Sequence, residues 1–113
     1  MVDLMKVIFQ KIEEVTKGEQ NIVWFHCASL GEFEQGKPII EGYKQKYPSH
    51  KILLTFFSPS GFEIRKNYDV VDWVFYLPAD TKSNAKKFIS IVKPIKVVFI
   101  KYEFWFNYMA ELK

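Results

Sequence analysis

A carboxylate follows an apolar run in the stretch HCASLGEFEQG, residues 26–36. Glu32 stands three residues after Ser29, where the run NIVWF has ended and an amphipathic segment is about to begin. A carboxylate in such a place can act as a general base that takes a proton from a substrate hydroxyl. It can equally be an ordinary acid in the first turn of a helix, where the helix dipole favours negative charge. The local pattern leaves both interpretations open.

Two further segments carry polar groups of interest. Glu103, in KYEFW, is a second candidate carboxylate, and its alternative role is an ion pair with Lys101 or another basic residue. The stretch SPSG, residues 58–61, would place hydroxyls and free backbone N–H groups at a helix start, which can bind an anion. Simple helix capping by Ser58 or Ser60 is the alternative.

Several kinds of site are disfavoured by the composition. The single cysteine, Cys27, excludes an internal disulfide and makes a metal site improbable, and His26 at the end of an apolar run is typical of a structural histidine. Neither GxGxxG nor GxxxxGK[ST] occurs. The net charge of +3 comes from lysines scattered among glutamates, which argues against nucleic acid as a partner.

The elements that must position these groups follow an alternating pattern. Four apolar runs at 21–26, 51–57, 72–77 and 95–100 are typical of strands in a covered parallel sheet. Helices are predicted at 3–16, 34–47, 60–68 and 81–93, with Gly18 ending the first and Asp80 or Thr81 capping the last. Pro38 is awkward in the second helix unless it lies in the first turn or bends the helix.

The pattern predicts one α/β domain over residues 1–113, a Rossmann-like three-layer sandwich with a parallel sheet of about four strands. Ligands of open parallel sheets bind beyond the carboxyl ends of the strands. The segments HCASLGE, SPSG, PAD and KYEFWFN all follow strands and therefore all fall on that edge. The sequence thus predicts a polar crevice with two candidate carboxylates.

The loops also resemble those of a known family. The stretches WFHCASLGEFEQGKPIIE, KILLTFFSPSGFEIRKNY, DWVFYLPADT and VKPIKVVFIKYEFWFNY resemble the N-terminal domain of 3-deoxy-D-manno-octulosonic acid (Kdo) transferases, in the same order. The resemblance implies a bacterial GT-B glycosyltransferase, in which two Rossmann-like domains face each other across a cleft. It implies transfer of Kdo from CMP-Kdo to the lipid A precursor with inversion, in lipopolysaccharide biosynthesis.

The resemblance also implies roles for individual residues. Glu32 matches the glutamate that serves the family as general base, and Glu103 matches the glutamate of its YEFWPN loop. Phe106 departs from that loop's usual proline, which puts the loop's shape in doubt. No metal and no cofactor are implied. The residues expected to contact the acceptor are Ser29, Gly31, Ser58, Ser60, Gly61, Lys101 and Glu103.

Location and partners are likewise expectations from the resemblance. The full-length enzyme would work at the cytoplasmic face of the bacterial inner membrane, and this chain alone, without membrane anchor and donor domain, would be soluble and inactive. Aromatic residues of the same edge are expected to meet the acceptor's acyl chains, among them Phe33, Phe57, Phe104 and Trp105. The alternatives are another GT-B glycosyltransferase and a non-enzymatic flavodoxin-like interaction domain.

Overall fold

The short apolar runs form the strands of one parallel sheet. The structure is a computed structural model that describes residues 4–57, 59–77 and 82–100. Within these residues helices and strands alternate along the chain. They are α1 (Leu4–Thr16), β1 (Ile22–Cys27), α2 (Leu30–Lys46), β2 (Lys51–Phe56), α3 (Pro59–Arg65), β3 (Trp73–Tyr76), α4 (Lys82–Val92) and β4 (Lys96–Ile100).

The sheet has the strand order β3-β2-β1-β4, and each neighbouring pair is parallel. From β1 the chain builds outward through β2 to β3 and then returns to the other side of β1 with β4. The direction of winding therefore reverses between β1 and β4, where Cys27 is paired with Ile100. Such a reversal opens a crevice at the carboxyl ends of the two strands.

Helices cover both faces of the sheet, which makes three layers. On one face α1 and α4 bury an apolar cluster that includes Phe9, Trp24 and Phe88. On the other face α2 and α3 cover a second cluster that includes Phe25 and Phe33. The predicted α/β sandwich with a four-stranded parallel sheet is confirmed.

The predicted strands and helices are present, but α3 ends at Arg65, three residues before the predicted end at 68, and the start of α2 differs by more. Helix α2 begins at Leu30, four residues before the predicted start at 34, because Ser29 caps it with an extended backbone and a side chain that accepts from the Glu32 N–H. Pro38 consequently lies inside the helix. Gly18 follows α1 with a positive φ of 80°, as a helix stop requires, whereas Asp80 and Thr81 lie outside the described residues.

None of the helices in the described ranges is both long enough and apolar enough to cross a lipid bilayer.

Candidate functional site

Glu32 lies in the first turn of α2, immediately beyond the carboxyl end of β1. Its side chain is half-buried, and Oε1 accepts a hydrogen bond from the Ser29 hydroxyl at 3.0 Å. The same hydroxyl accepts from the Glu32 backbone N–H at 3.4 Å. This is the Ser-x-x-Glu spacing of a helix N-terminus. The carboxylate is thereby held at the carboxyl edge of the sheet, next to the point where the direction of winding reverses between β1 and β4.

The segment that follows β2 comes close to this helix start. Gly61, in α3, packs so tightly that a Cβ there would lie 2.7 Å from the Phe56 ring and 3.3 Å from the backbone nitrogen of Leu30. Any side chain at this position would push α3 away from α2. The structure therefore brings Ser29, Gly31, Glu32 and Gly61 together at one edge of the sheet.

Contacts farther along the helices hold α3 against α2. Arg65 of α3 forms an ion pair with Glu34 of α2 and lies over the Phe33 ring. The Tyr68 hydroxyl donates to Glu41 at 2.8 Å. These contacts connect α2 with α3 and with the turn that follows α3.

Cys27, the last residue of β1, is chemically quiet. Burial, and secondarily the nearby negative charge of Glu32, raise the pKa of its thiol to about 12. Because the thiolate is the form that attacks electrophiles and binds metals, the protonated thiol is inert at neutral pH. Cys27 therefore acts here as a small core residue.

His26 is a buried structural residue, as the sequence predicts, and it belongs to a hydrogen-bond network. Its Nδ1 lies 2.9 Å from the Thr55 hydroxyl, which also accepts from the Trp24 indole N–H at 2.7 Å. Burial lowers the pKa of His26 to about 3, because the charged ring would lose its hydration. The ring is accordingly neutral at the pH of most cells.

Some of the predicted site residues cannot be placed. Ser58, Lys101 and Glu103 lie outside the described residues, as do Phe104 and Trp105, and of Ser60 only the backbone is described. Two of the predicted acceptor-facing aromatics are described. Phe57 is 45% exposed, but Phe33 is fully buried, so the expectation for Phe33 is wrong: as the fourth residue of α2 it points toward the sheet.

Comparisons with known proteins show which family the chain belongs to. Residues 5–113 match the family model described as 3-Deoxy-D-manno-octulosonic-acid transferase (kdotransferase), which covers the N-terminal domain. The chain belongs to the Kdo transferase family. The family match argues against the alternative of a non-enzymatic flavodoxin-like interaction domain.

Curated relatives bear the same name. A 3-deoxy-D-manno-octulosonic acid transferase from Aquifex aeolicus is 35% identical over 104 residues, which cover 91% of this chain and 28% of that protein. One from Chlamydia trachomatis serovar D is 29% identical over 114 residues, covering 99% and 26%, and one from Haemophilus influenzae is 30% identical over 91 residues, covering 80% and 21%. The chain spans about a quarter of the length of the first two relatives.

A groove of about 820 Å³ lies at the amino edge of the sheet, lined by the ends of α1 and α4 and the loop into β1. Its lining carries both negative glutamates and positive lysines, and it lies at the opposite edge of the sheet from Glu32. In a parallel α/β sheet the carboxyl edge is the position for a ligand, so the edge that carries Glu32 is the candidate site.

The Kdo transferase domain holds one polar feature that sequence reasoning missed. Thr55 lies in the middle of the apolar run of β2 and is fully buried. A threonine in a strand is ordinary, and its pairing with Trp24 and His26 depends on the parallel register of β1 and β2. Within the described ranges, no three His, Cys, Asp or Glu side chains come close enough to hold a metal ion.

Proposed function

We propose that this chain is the acceptor-side domain of an enzyme that transfers Kdo from CMP-Kdo to the lipid A precursor with inversion. One observation carries the proposal beyond family membership: the half-buried carboxylate of Glu32, held by Ser29 at the start of α2, lies beside the winding reversal of the sheet. That is the place where a fold of this type binds substrate. The donor would be bound by a second domain across the cleft.

Glu32 has the chemistry that the transfer requires. As the primary hydroxyl oxygen of the acceptor glucosamine attacks the anomeric carbon of Kdo, the proton of that hydroxyl passes to the Glu32 carboxylate. The bond between the anomeric carbon and the CMP phosphate oxygen breaks, and CMP leaves with the bonding electrons. Attack from the face opposite CMP inverts the configuration. Positive groups and helix ends, mostly of the donor domain, stabilise the phosphate charge without a metal.

The acceptor is both anionic and acylated, and the carboxyl edge offers groups suited to each property. Gly61, the third residue of α3, lies close to Leu30 at the start of α2, and basic side chains such as Lys101 would add charge for a phosphate. Phe57 and Ile64 are 45% and 54% exposed on the segment that begins and forms α3. We infer that this apolar surface faces acyl chains at the cytoplasmic side of the inner membrane.

The acceptor contacts follow from this placement. Ser29 and Gly31 would lie under the sugar at the start of α2, and Gly61 beside them. The remaining residues that we assign to the acceptor are Ser58, Ser60, Lys101 and Glu103.

The proposal is tested by transfer assays on the full-length protein encoded by the gene. We expect CMP release only when CMP-Kdo and a lipid A precursor are both present, with the sugar recovered on the acceptor. Residues 1–113 alone are the control and should release no CMP, because they would supply one wall of the cleft. Transfer from a different nucleotide sugar, with CMP-Kdo inert, would replace this function by that of another GT-B glycosyltransferase.

A further inference from the structure

The hydroxyl of Ser29 makes two hydrogen bonds with the same residue. It accepts from the Glu32 backbone N–H at 3.4 Å, which is long, and it donates its single proton to Glu32 Oε1 at 3.0 Å. In the usual capping box the glutamate returns to the backbone N–H of the cap residue. Here the carboxylate contacts the cap's hydroxyl, and this contact is shorter than the capping bond itself.

We propose that Ser29 is a positioning residue that fixes which oxygen of Glu32 takes the substrate proton. The proposal rests on the proposed function, in which Glu32 is the general base. Because the Ser29 proton occupies Oε1, the carboxylate is oriented and Oε2 is left for the acceptor hydroxyl. A glutamate side chain rotates about three bonds, so a fixed anchor on one oxygen keeps the other in reach of the reacting proton.

The surroundings of Glu32 give this anchor particular weight. The first turn of α2 fixes the Cα of Glu32, and Phe33 beside it is fully buried, so the backbone cannot readily shift. The neighbouring Gly31 has no side chain, and even a Cβ at that position would contact only the Ser29 hydroxyl, at 3.9 Å. Among the contacts of the described residues, the Ser29 hydroxyl is thus the group that orients the carboxylate.

The test compares Ser29→Gly with Ser29→Thr in the full-length enzyme. Glycine is nearly as good a helix cap as serine but has no hydroxyl, whereas threonine keeps both the cap and the donated proton. We expect Ser29→Gly to lower kcat about 10–100-fold, with a smaller change in KM because Ser29 also borders the acceptor, and with little change in the midpoint of thermal unfolding. Ser29→Thr should stay within a few-fold of the wild-type kcat.

Other roles for Ser29 give different results. A residue that only caps α2 would change the unfolding midpoint and leave kcat near wild type, and a residue that only binds the acceptor would raise KM instead. Either result overturns the positioning role. If Ser29→Gly does not fold, Ser29→Ala is assayed at a temperature where it stays folded, because alanine also removes the donated proton and adds no charge beside Glu32.

The failure of this inference can be told from the failure of the proposed function. Glu32→Gln alone should lose most activity, and adding Ser29→Gly to it should have no further effect, because the group being positioned is already gone. If Glu32→Gln is inactive while Ser29→Gly keeps the wild-type kcat, only the positioning role falls. If Glu32→Gln keeps the wild-type kcat, the general base and the positioning role fall together.

Discussion

At the scale of single residues, Trp24, Thr55 and His26 form a buried hydrogen-bond network within the apolar core. The Trp24 indole can only donate, so the Thr55 oxygen accepts from it and its own proton is available for Nδ1 of His26. If that proton goes to Nδ1, the neutral ring carries its own proton on Nε2, whereas a ring protonated on Nδ1 would donate to the second lone pair of the Thr55 oxygen. The nitrogen chemical shifts of the imidazole in solution should report the tautomer.

The network has a consequence for stability at low pH. The pKa of His26 is about 3 in the folded chain against 6.5 for an ordinary histidine, so between these values only the unfolded chain holds the extra proton. The free energy of unfolding should therefore fall as the pH drops from 6.5 toward 3, by about 1.4 kcal/mol per pH unit from this residue. Urea unfolding of wild type and His26→Asn at several pH values measures the difference. Equal slopes for the two proteins would contradict the assignment.

Gly31 allows the acceptor contact to be separated from stability. It is exposed, and an added Cβ would make only an ordinary contact with the Ser29 oxygen, at 3.9 Å. Gly31→Ala should leave the free energy of unfolding unchanged or raise it by up to about 1 kcal/mol, because alanine favours the helix. We expect it to raise the KM for the acceptor in the full-length enzyme, since the methyl group would occupy space over the helix start. An unchanged KM would remove Gly31 from the acceptor site.

The site residues differ in how far the sequence could predict them. The sequence left Glu32 open as a general base or as an acid in the first turn of a helix, and the structure places it in the first turn of α2 beside Ser29. The burial of Phe33 could not be predicted once α2 was expected to begin at 34, because a residue before the helix has no defined face. The Thr55 pairing required the strand register, which local pattern does not contain.

At the scale of elements, α2 approaches β4 closely at one glycine. Gly36 is buried, and a Cβ there would lie 2.8 Å from two side-chain carbons of Ile100. The missing side chain lets the helix lie on the end of β4. This contact sets the position of α2, and with it the position of Glu32, relative to the point where the winding reverses.

The same helix provides a matched pair of glycines for testing that contact. Gly42 is exposed and has no atom within 4 Å of an added Cβ, so Gly42→Ala should raise the free energy of unfolding by about 1 kcal/mol. Gly36→Ala gains the same helix propensity but overpacks against Ile100, and it should be less stable than Gly42→Ala by about 1–3 kcal/mol. Urea unfolding measures both. Equal stabilities would mean that the approach of α2 to β4 is looser than described.

The strands were predictable as elements because each apolar run fits a sheet covered on both faces. The course of α2 was not. Pro38 suggested a later start or a bend, yet it lies inside the helix on an exposed stretch. Pro38 has no N–H to donate to the carbonyl of Glu34. Glu34 is exposed, so water can hydrate that carbonyl, and the helix tolerates the proline.

At the scale of the whole molecule, the strand order decides where function is expected. Alternating strands and helices indicated a parallel sheet from the sequence, but the order β3-β2-β1-β4 depends on long-range packing. With β1 in the interior of the sheet and β4 beside it, the loop that carries Ser29 borders the reversal of winding. The acceptor should therefore meet this edge and not the groove at the amino edge.

A titration of this chain with an acceptor analogue tests the location. We expect changes in the NMR signals of residues 29–33, 58–62 and 101–105, because helix starts and basic groups at this edge favour an anionic ligand. Binding should be weak, since the proposed donor domain would close the cleft. Changes confined to the amino-edge groove, at Glu13–Gln20 and Ser90–Lys93, would move the acceptor away from Glu32.

The most direct measurement is the kcat of Glu32→Gln in the full-length enzyme, with Glu34→Gln as its control. Glu34 lies on the same helix, is half exposed and pairs with Arg65, so its replacement tests the loss of a nearby charge together with that exposed ion pair, which contributes little to stability. If Glu32 is the general base, Glu32→Gln should lower kcat about 10²–10⁴-fold without a matching loss of thermal stability, and Glu34→Gln should stay near wild type. A Glu32→Gln enzyme with the wild-type kcat would return Glu32 to the role of an ordinary acid at the start of a helix.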